Sequence, residues 1–139
     1  VRDFITPEEA NSLAAITPKR GPIHTLIHPT ALRIIERLRK DFDFTVKNES
    51  FYSVESQPAG HNWHIDTGDT NQMLWCAVGA SVLLTEGISG GLTYYSHNSK
   101  GENPELSNRR VGDILAHTSD EWHKVTPNGG GRAAFLLFI

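Results

Sequence analysis

His123-Lys124-Val125-Thr126-Pro127-Asn128-Gly129-Gly130-Gly131-Arg132-Ala133-Ala134-Phe135-Leu136-Leu137-Phe138-Ile139 holds most of what the sequence says about its fold. Residues 128–131 are too short for a linker, and their glycines tolerate backbone conformations that other residues resist, which predicts a tight turn between two strands. Residues 133–139 are continuously apolar and of strand length, which predicts a closing strand. Arg132 stands at the start of that strand. Read alone it is a surface arginine ending the turn, although an apolar strand is a costly place for an unpaired charge.

Working back from this stretch, further short strand-like runs lie at 111–117, 92–95, 76–84 and 51–56. Turn signals separate them at 101–104, 87–91 and in Pro58-Ala59-Gly60. Before residue 43 the texture is helical. Thr6-Pro7-Glu8-Glu9 carries a capping residue, a proline suited to the first helical position and a carboxylate three residues after the cap. The pattern fades at Thr17-Pro18, and a second helix is predicted from Pro29 to about Phe42. Its apolar positions Ala31, Ile34, Ile35 and Leu38 form one stripe. Helices first and many short strands afterwards predict a mostly β fold, a barrel or sandwich (about 44–139) with a helical buttress (about 6–42). At 139 residues the chain suits one domain.

Composition narrows the function classes. A net charge of -3 offers no broad positive field, so a nucleic-acid partner is not expected. Arg109-Arg110 is the only compact basic pair in the second half and reads as solvated. Cys76 is the single cysteine, which rules out an internal disulfide, suits a reducing compartment and predicts a buried small apolar side chain. No apolar run is long enough to span a bilayer, so no membrane partner and a cytoplasmic location are expected. Val1 is not an initiator methionine, which leaves a preceding segment open.

His64-Ile65-Asp66 is the motif with chemistry in it. On a strand, residues i and i+2 share a face, so both side chains could reach one metal. The tripeptide alone is weak, since it arises often by chance. A third ligand must come from elsewhere; His123 leads and His117, at the end of a predicted strand, competes. Two histidines and one carboxylate on one face of an octahedron leave positions open, as non-haem iron(II) oxygenases require.

The ordered series around this motif resembles the prolyl-4-hydroxylase-like branch of the 2-oxoglutarate- and iron-dependent oxygenases. Val1-Arg2-Asp3-Phe4-Ile5-Thr6-Pro7-Glu8-Glu9 is similar to that family's entry to its first helix, and His64-Ile65-Asp66 to its metal dyad. Gly90-Gly91-Leu92-Thr93-Tyr94 and Val111-Gly112-Asp113-Ile114-Leu115 resemble its intervening strands. His123-Lys124-Val125-Thr126-Pro127 resembles its distal histidine with trailing proline, and Arg132, nine residues on, its co-substrate anchor. The resemblance spans nearly the whole chain. It implies a double-stranded β-helix (a jelly-roll or cupin-like barrel) buttressed by two or three helices. It also implies Fe(II) held by His64, Asp66 and His123, with 2-oxoglutarate anchored by Arg132, O2 as co-reactant and ascorbate as a candidate further cofactor. The implied reaction is hydroxylation of a peptidyl, prolyl-like, or amino-acid substrate, coupled to conversion of 2-oxoglutarate into succinate. The retained Asp66 argues against a halogenase, which replaces that carboxylate by a small residue.

The tyrosine that the family places near the dyad strand to support 2-oxoglutarate has no clean counterpart here, and Tyr52 is the substitute. His61, three residues before His64, is expected on the opposite strand face or in a loop, as a rim or substrate-side residue. His97 is read as facing the barrel mouth, His24 and His28 as having no catalytic part, and Tyr94, Trp75 and, in its alternative reading, Tyr52 as core or wall. Asp120-Glu121 is either a solvated turn or a support for His123. Residues 98–108 and 67–72 are polar enough to shape a substrate entrance. Two rivals from other classes are a cupin-like metal-binding module without oxygen chemistry and a zinc hydrolase using the same triad, with Glu121 as its base. The substrate's identity and the oligomeric state are not legible in the sequence.

Overall fold

The computed structural model describes residues 1–68 and 72–139. Helix α1 spans Pro7–Ala14. Thr6 caps it through the expected reciprocal pair: its Oγ1 accepts from the Glu9 amide at 3.1 Å, and Glu9 Oε2 accepts from the Thr6 amide at 2.9 Å. Helix α2 spans Pro29–Asp41, with Pro29 in its first turn and Ala31, Ile34, Ile35 and Leu38 all buried. Arg33 of α2 donates to the Glu9 carboxylate at 2.7 Å, which ties the two helices together. A single 3-10 turn over Ile23–Thr25 is the third helical piece.

Nine strands follow the order β1 (Arg20–Pro22), β2 (Phe51–Glu55), β3 (His61–His64), β4 (Val78–Leu83), β5 (Thr93–Ser96), β6 (Glu105–Ser107), β7 (Ile114–Thr118), β8 (Trp122–Val125) and β9 (Ala134–Phe138). They form a five-stranded sheet ordered β1-β2-β9-β4-β7 and a four-stranded sheet ordered β3-β8-β5-β6, with antiparallel pairing throughout. Among the described residues the two sheets stay separate rather than closing into one barrel. β1 and β6 are additions to the strands expected from sequence, while β3 and β8 are the short strands expected at the His64 motif and before the 128–131 turn. All four are three or four residues long, too short to leave a clear periodic signal.

β9 is the centre of the larger sheet, flanked by β2 and β4. Its alternation explains its unbroken apolar sequence. Phe135, Leu137 and Ile139 join Leu13, Ile34, Leu38 and Val82 in the core under the helices, whereas Leu136 and Phe138 line a cavity on the other face. Burying each large side chain of this core stabilises the fold by ~1.5–3 kcal/mol. Cys76 is buried, as expected, and burial pushes its thiol up to about 12.

The N-terminal segment is tied to the start of β7. The Asp113 carboxylate is buried and accepts from the Asp3 and Arg110 amides at 2.9 and 3.0 Å and from Arg2 at 2.7 Å. Gly112 has φ +97°, and a Cβ there would press on the Ile5 carbonyl oxygen at 2.5 Å, so this close approach of two backbones needs glycine. Among the described residues, no helix is long and apolar enough to cross a membrane.

Candidate active site

A cavity of about 250 Å³ lies between the two sheets and draws on β2, β4, β7 and β9 from one side and β3, β5 and β8 from the other. His64, Asp66 and His123 face it, and one ligand atom of each lies within 4.8 Å of the others. His64 and His123 are cross-strand partners in β3 and β8, with ring centroids 4.2 Å apart. Asp66 is not on the strand. β3 ends at His64, and a turn held by Asp66 and Thr67 amides on the Ser119 carbonyl, at 2.9 and 3.1 Å, carries the carboxylate inward. The same-face argument for a strand therefore reaches the right grouping by a different backbone path.

His61 pairs with Val125 while His64 pairs with His123, so β3 holds one extra residue between them. This bulge shifts the alternation and turns His61 toward the same cavity as His64, instead of the opposite face.

The hydrogen bonds assign the ring tautomers. His64 Nδ1 lies 2.6 Å from the Asn62 carbonyl oxygen and His123 Nδ1 2.8 Å from that of Glu121. Carbonyl oxygens only accept, so both Nδ1 atoms carry hydrogen, and both Nε2 lone pairs point toward Asp66 Oδ1, at 3.8 and 3.4 Å. His117 is oriented the other way round. Its Nε2 donates to Asp66 Oδ2 at 2.7 Å, and its Nδ1 accepts from the Tyr95 hydroxyl at 2.8 Å. Both of its nitrogens are engaged, which separates it from the two histidines that keep a free lone pair. His117 instead fixes the outer oxygen of Asp66 and leaves the inner one facing the imidazoles.

The electrostatics follow the same arrangement. Burial pushes the Asp66 carboxyl up, but the hydrogen bond from His117 and the adjacent His123 ring outweigh it and hold the group well below the usual carboxylate range. His123 is raised despite its burial because Asp66 sits beside it, and His64 is lowered chiefly by burial.

Gly79 on β4 makes room for this cluster. A Cβ there would overlap Asp66 Oδ2 and come within 2.8 Å of His117 Nε2. Gly79→Ala is expected to displace the carboxylate and lower metal affinity by about 10–100-fold, the range seen when a group that orients a metal ligand is disturbed. Calorimetric titration with Mn(II) checks this, and wild-type affinity would show that Asp66 can move aside freely.

Arg132 also lines the cavity. It is 3% exposed, and its Nε and Nη1 have no hydrogen-bond partner. Its side chain crosses Gly91, where a Cβ would lie 2.7 Å from the arginine Cδ. The Thr93 hydroxyl is likewise buried without a partner and lines the same cavity. Buried donors of this kind fit an absent anion, and the two imidazole nitrogens with one carboxylate oxygen fit a divalent metal. A second cavity of about 380 Å³ contains none of the triad and adjoins the first through Thr93, Arg109 and Arg132.

Tyr52 requires a correction. It lies on the helix-facing side of β2, stacks with Phe135 and donates to the Pro18 carbonyl at 3.1 Å, so it does not line the cavity. β2 alternates, and it is Phe51 and Glu55 that face inward. Tyr95, opposite His123 on β5, and Thr93 line the cavity that Tyr52 does not reach. Arg109 is a second correction: it turns inward to the Ser81 carbonyl and hydroxyl, while Arg110 remains exposed as expected. His97 is exposed and off the cavity. Glu121 supports His123 through its backbone, and its side chain is exposed. The predicted entrance at 67–72 lies partly outside the described residues, and 98–108 includes strand β6. Tyr95, Thr93 and Gly79 were missed by the sequence reading; Thr93 and Tyr95 could have been found by running the period-2 alternation through β5.

No family model matches the sequence, and no curated protein matches it. Solved structures do match. A prolyl-4-hydroxylase of Pseudomonas putida superposes with a TM-score of 0.68 at 18% identity, covering 99% of this chain and 81% of its own. A 2OG-Fe(II) oxygenase family oxidoreductase of Burkholderia pseudomallei gives 0.61 at 15% identity, covering 94% and 77%. A prolyl hydroxylase of Trichoplax adhaerens, in complex with a hypoxia inducible factor oxygen degradation domain peptide, gives 0.55 at 16% identity, covering 79% and 55%. With two facing antiparallel sheets, two buttressing helices and a His-Asp-His cluster between the sheets, this chain has the double-stranded β-helix fold of the prolyl-4-hydroxylase and 2OG-Fe(II) oxygenase structures.

Proposed function

We propose that the chain is a 2-oxoglutarate-dependent Fe(II) dioxygenase, a single domain that hydroxylates a peptidyl, prolyl-like, or amino-acid substrate. The observation that carries this reading is the content of one cavity. A His-Asp-His cluster and a buried arginine with unpartnered nitrogens face the same space. His64 Nε2, His123 Nε2 and Asp66 Oδ1 would hold the iron, and Arg132 would grip the far carboxylate of 2-oxoglutarate. When bound, iron and 2-oxoglutarate supply with O2 the oxidising chemistry that couples succinate and carbon dioxide formation to C–H hydroxylation.

The chain's own residues prepare the site for that chemistry. The Asn62 and Glu121 carbonyls hold the two imidazoles in the tautomer that binds metal. His117 and Tyr95 hold Asp66 ionised and oriented. Leu115, Leu136 and Phe138 give the cavity an apolar wall that limits water. His61, Gln57, Glu55 and Arg20 extend the lining beyond the triad, and a substrate would be met there. The Trichoplax adhaerens relative, in complex with a peptide, favours a peptide substrate.

The rivals explain less. A binding module without oxygen chemistry has no use for a buried, unpartnered guanidinium. A zinc hydrolase needs a base beside the metal, and Glu121 points its carboxylate to solvent. The test is an anaerobic optical titration of metal-free protein with Fe(II) and then 2-oxoglutarate. A weak visible charge-transfer band on the second addition is expected. Tight metal binding with no band would shift the reading to the module or the hydrolase.

A further inference from the structure

Three arginines line the cavity; Arg20 lies over the Phe51 ring, and of the other two only one is accounted for by the co-substrate anchor. Arg109 comes from the segment between β6 and β7, and Arg132 immediately precedes Ala133 and β9. Arg109 Nη1 donates to the Ser81 hydroxyl and, at 3.4 Å, to the Ser81 carbonyl. Ser81 pairs with Leu136, one step along the sheet from the Gly79 and Phe138 level, where Asp66 is seated. Arg109 therefore enters the cavity between the triad and the start of β9. Neither arginine forms an ion pair among the described residues, although both line the same space. Burial and the neighbouring Arg132 charge together push Arg109 down to about 10. Two cations that line one space without an ion pair cost stability, and an anion with two oxygens removes that cost.

Resting on the co-substrate reading above, we propose that Arg109 is a second arm of the anion clamp. The far carboxylate of the keto acid accepts from Arg132 and Arg109 together. The pair thereby selects keto acids that carry a second carboxylate over those that do not. A carboxylate offers about four lone-pair positions on two oxygens, enough for two guanidinium groups at once. Ser81 holds the second arm in place, and Thr93 adds an unpartnered hydroxyl to the same space.

The test is calorimetric binding of 2-oxoglutarate and of 2-oxobutyrate, which lacks the second carboxylate, to the full chain loaded with redox-inert Zn(II). Arg109→Gln is expected to weaken 2-oxoglutarate by about 10–100-fold, the loss that follows from removing a hydrogen bond to a charged group. The same substitution should leave 2-oxobutyrate within about twofold. Arg109→Met keeps the aliphatic stem, carries the same expectation and replaces the glutamine variant if that one does not fold. Equal losses for both keto acids, or wild-type affinity for 2-oxoglutarate in a variant whose Arg132→Gln counterpart has lost it, would overturn the second arm and leave the co-substrate reading intact. No binding of 2-oxoglutarate to the Zn(II)-loaded wild type would overturn both.

Discussion

Asp66→Ala is expected to abolish iron-dependent turnover and to lower Fe(II) or Mn(II) affinity by more than about 100-fold, while the chain still folds. Asp66 is the one carboxylate in the triad, and its two oxygens have separate tasks. Oδ1 faces the His64 and His123 lone pairs, and Oδ2 is occupied by His117. Without it, two neutral imidazoles remain, which is a poor site for a divalent ion that favours oxygen as well as nitrogen ligands. The variant also loses the hydrogen bond from His117, a cost of about 1–3 kcal/mol. That is a fraction of the ~5–15 kcal/mol by which domains are stable, so a cooperative unfolding transition should persist. Metal titration and turnover measured beside a thermal melt check the two halves together, and full activity in the variant would sink the triad.

Arg132→Ala should weaken 2-oxoglutarate by about 100-fold or more, since losing one partner of a buried, hydrogen-bonded charge pair costs ~2–5 kcal/mol. Metal affinity should stay near wild type, because Arg132 touches none of the three ligands. If iron binding fell and 2-oxoglutarate binding did not, Arg132 would not be the anchor. Stability supplies an independent reading. Arg132 is 3% exposed and two of its guanidinium nitrogens have no partner, so it burdens the ligand-free fold. Arg132→Met, which fills the same space without charge, should raise the ligand-free melting temperature and erase the rise that 2-oxoglutarate gives the wild type. That pair of results would show a site trading stability for function.

These two residues are legible in the sequence, but for different reasons. His64-Ile65-Asp66 is a local pattern, and the Gly-rich turn running into Arg132 and the β9 strand is another. Helix α1 was equally plain, because Thr6, Pro7 and Glu9 build their cap within four residues. The stripe of α2 needed only its own periodicity. The choice of His123 over His117 is different in kind. Both histidines end up beside Asp66, and only their hydrogen-bond partners, a backbone carbonyl for one and Tyr95 for the other, separate a ring with a free lone pair from one without.

The helical buttress, the strand-rich remainder, the His-x-Asp motif and the cation at the head of the last strand are each written in neighbouring residues. What depends on register is settled by the tertiary structure. A one-residue bulge in β3 turns His61 into the cavity, the alternation of β2 sends Tyr52 to the helices, and the pairing of β4 with β7 sets Gly79 opposite His117. It also brought Arg109 inside, out of a basic pair that reads as surface. The physical reason is that a strand's side chains alternate between two faces, so which residue enters the site follows from pairings between distant strands, and those are encoded in no single segment.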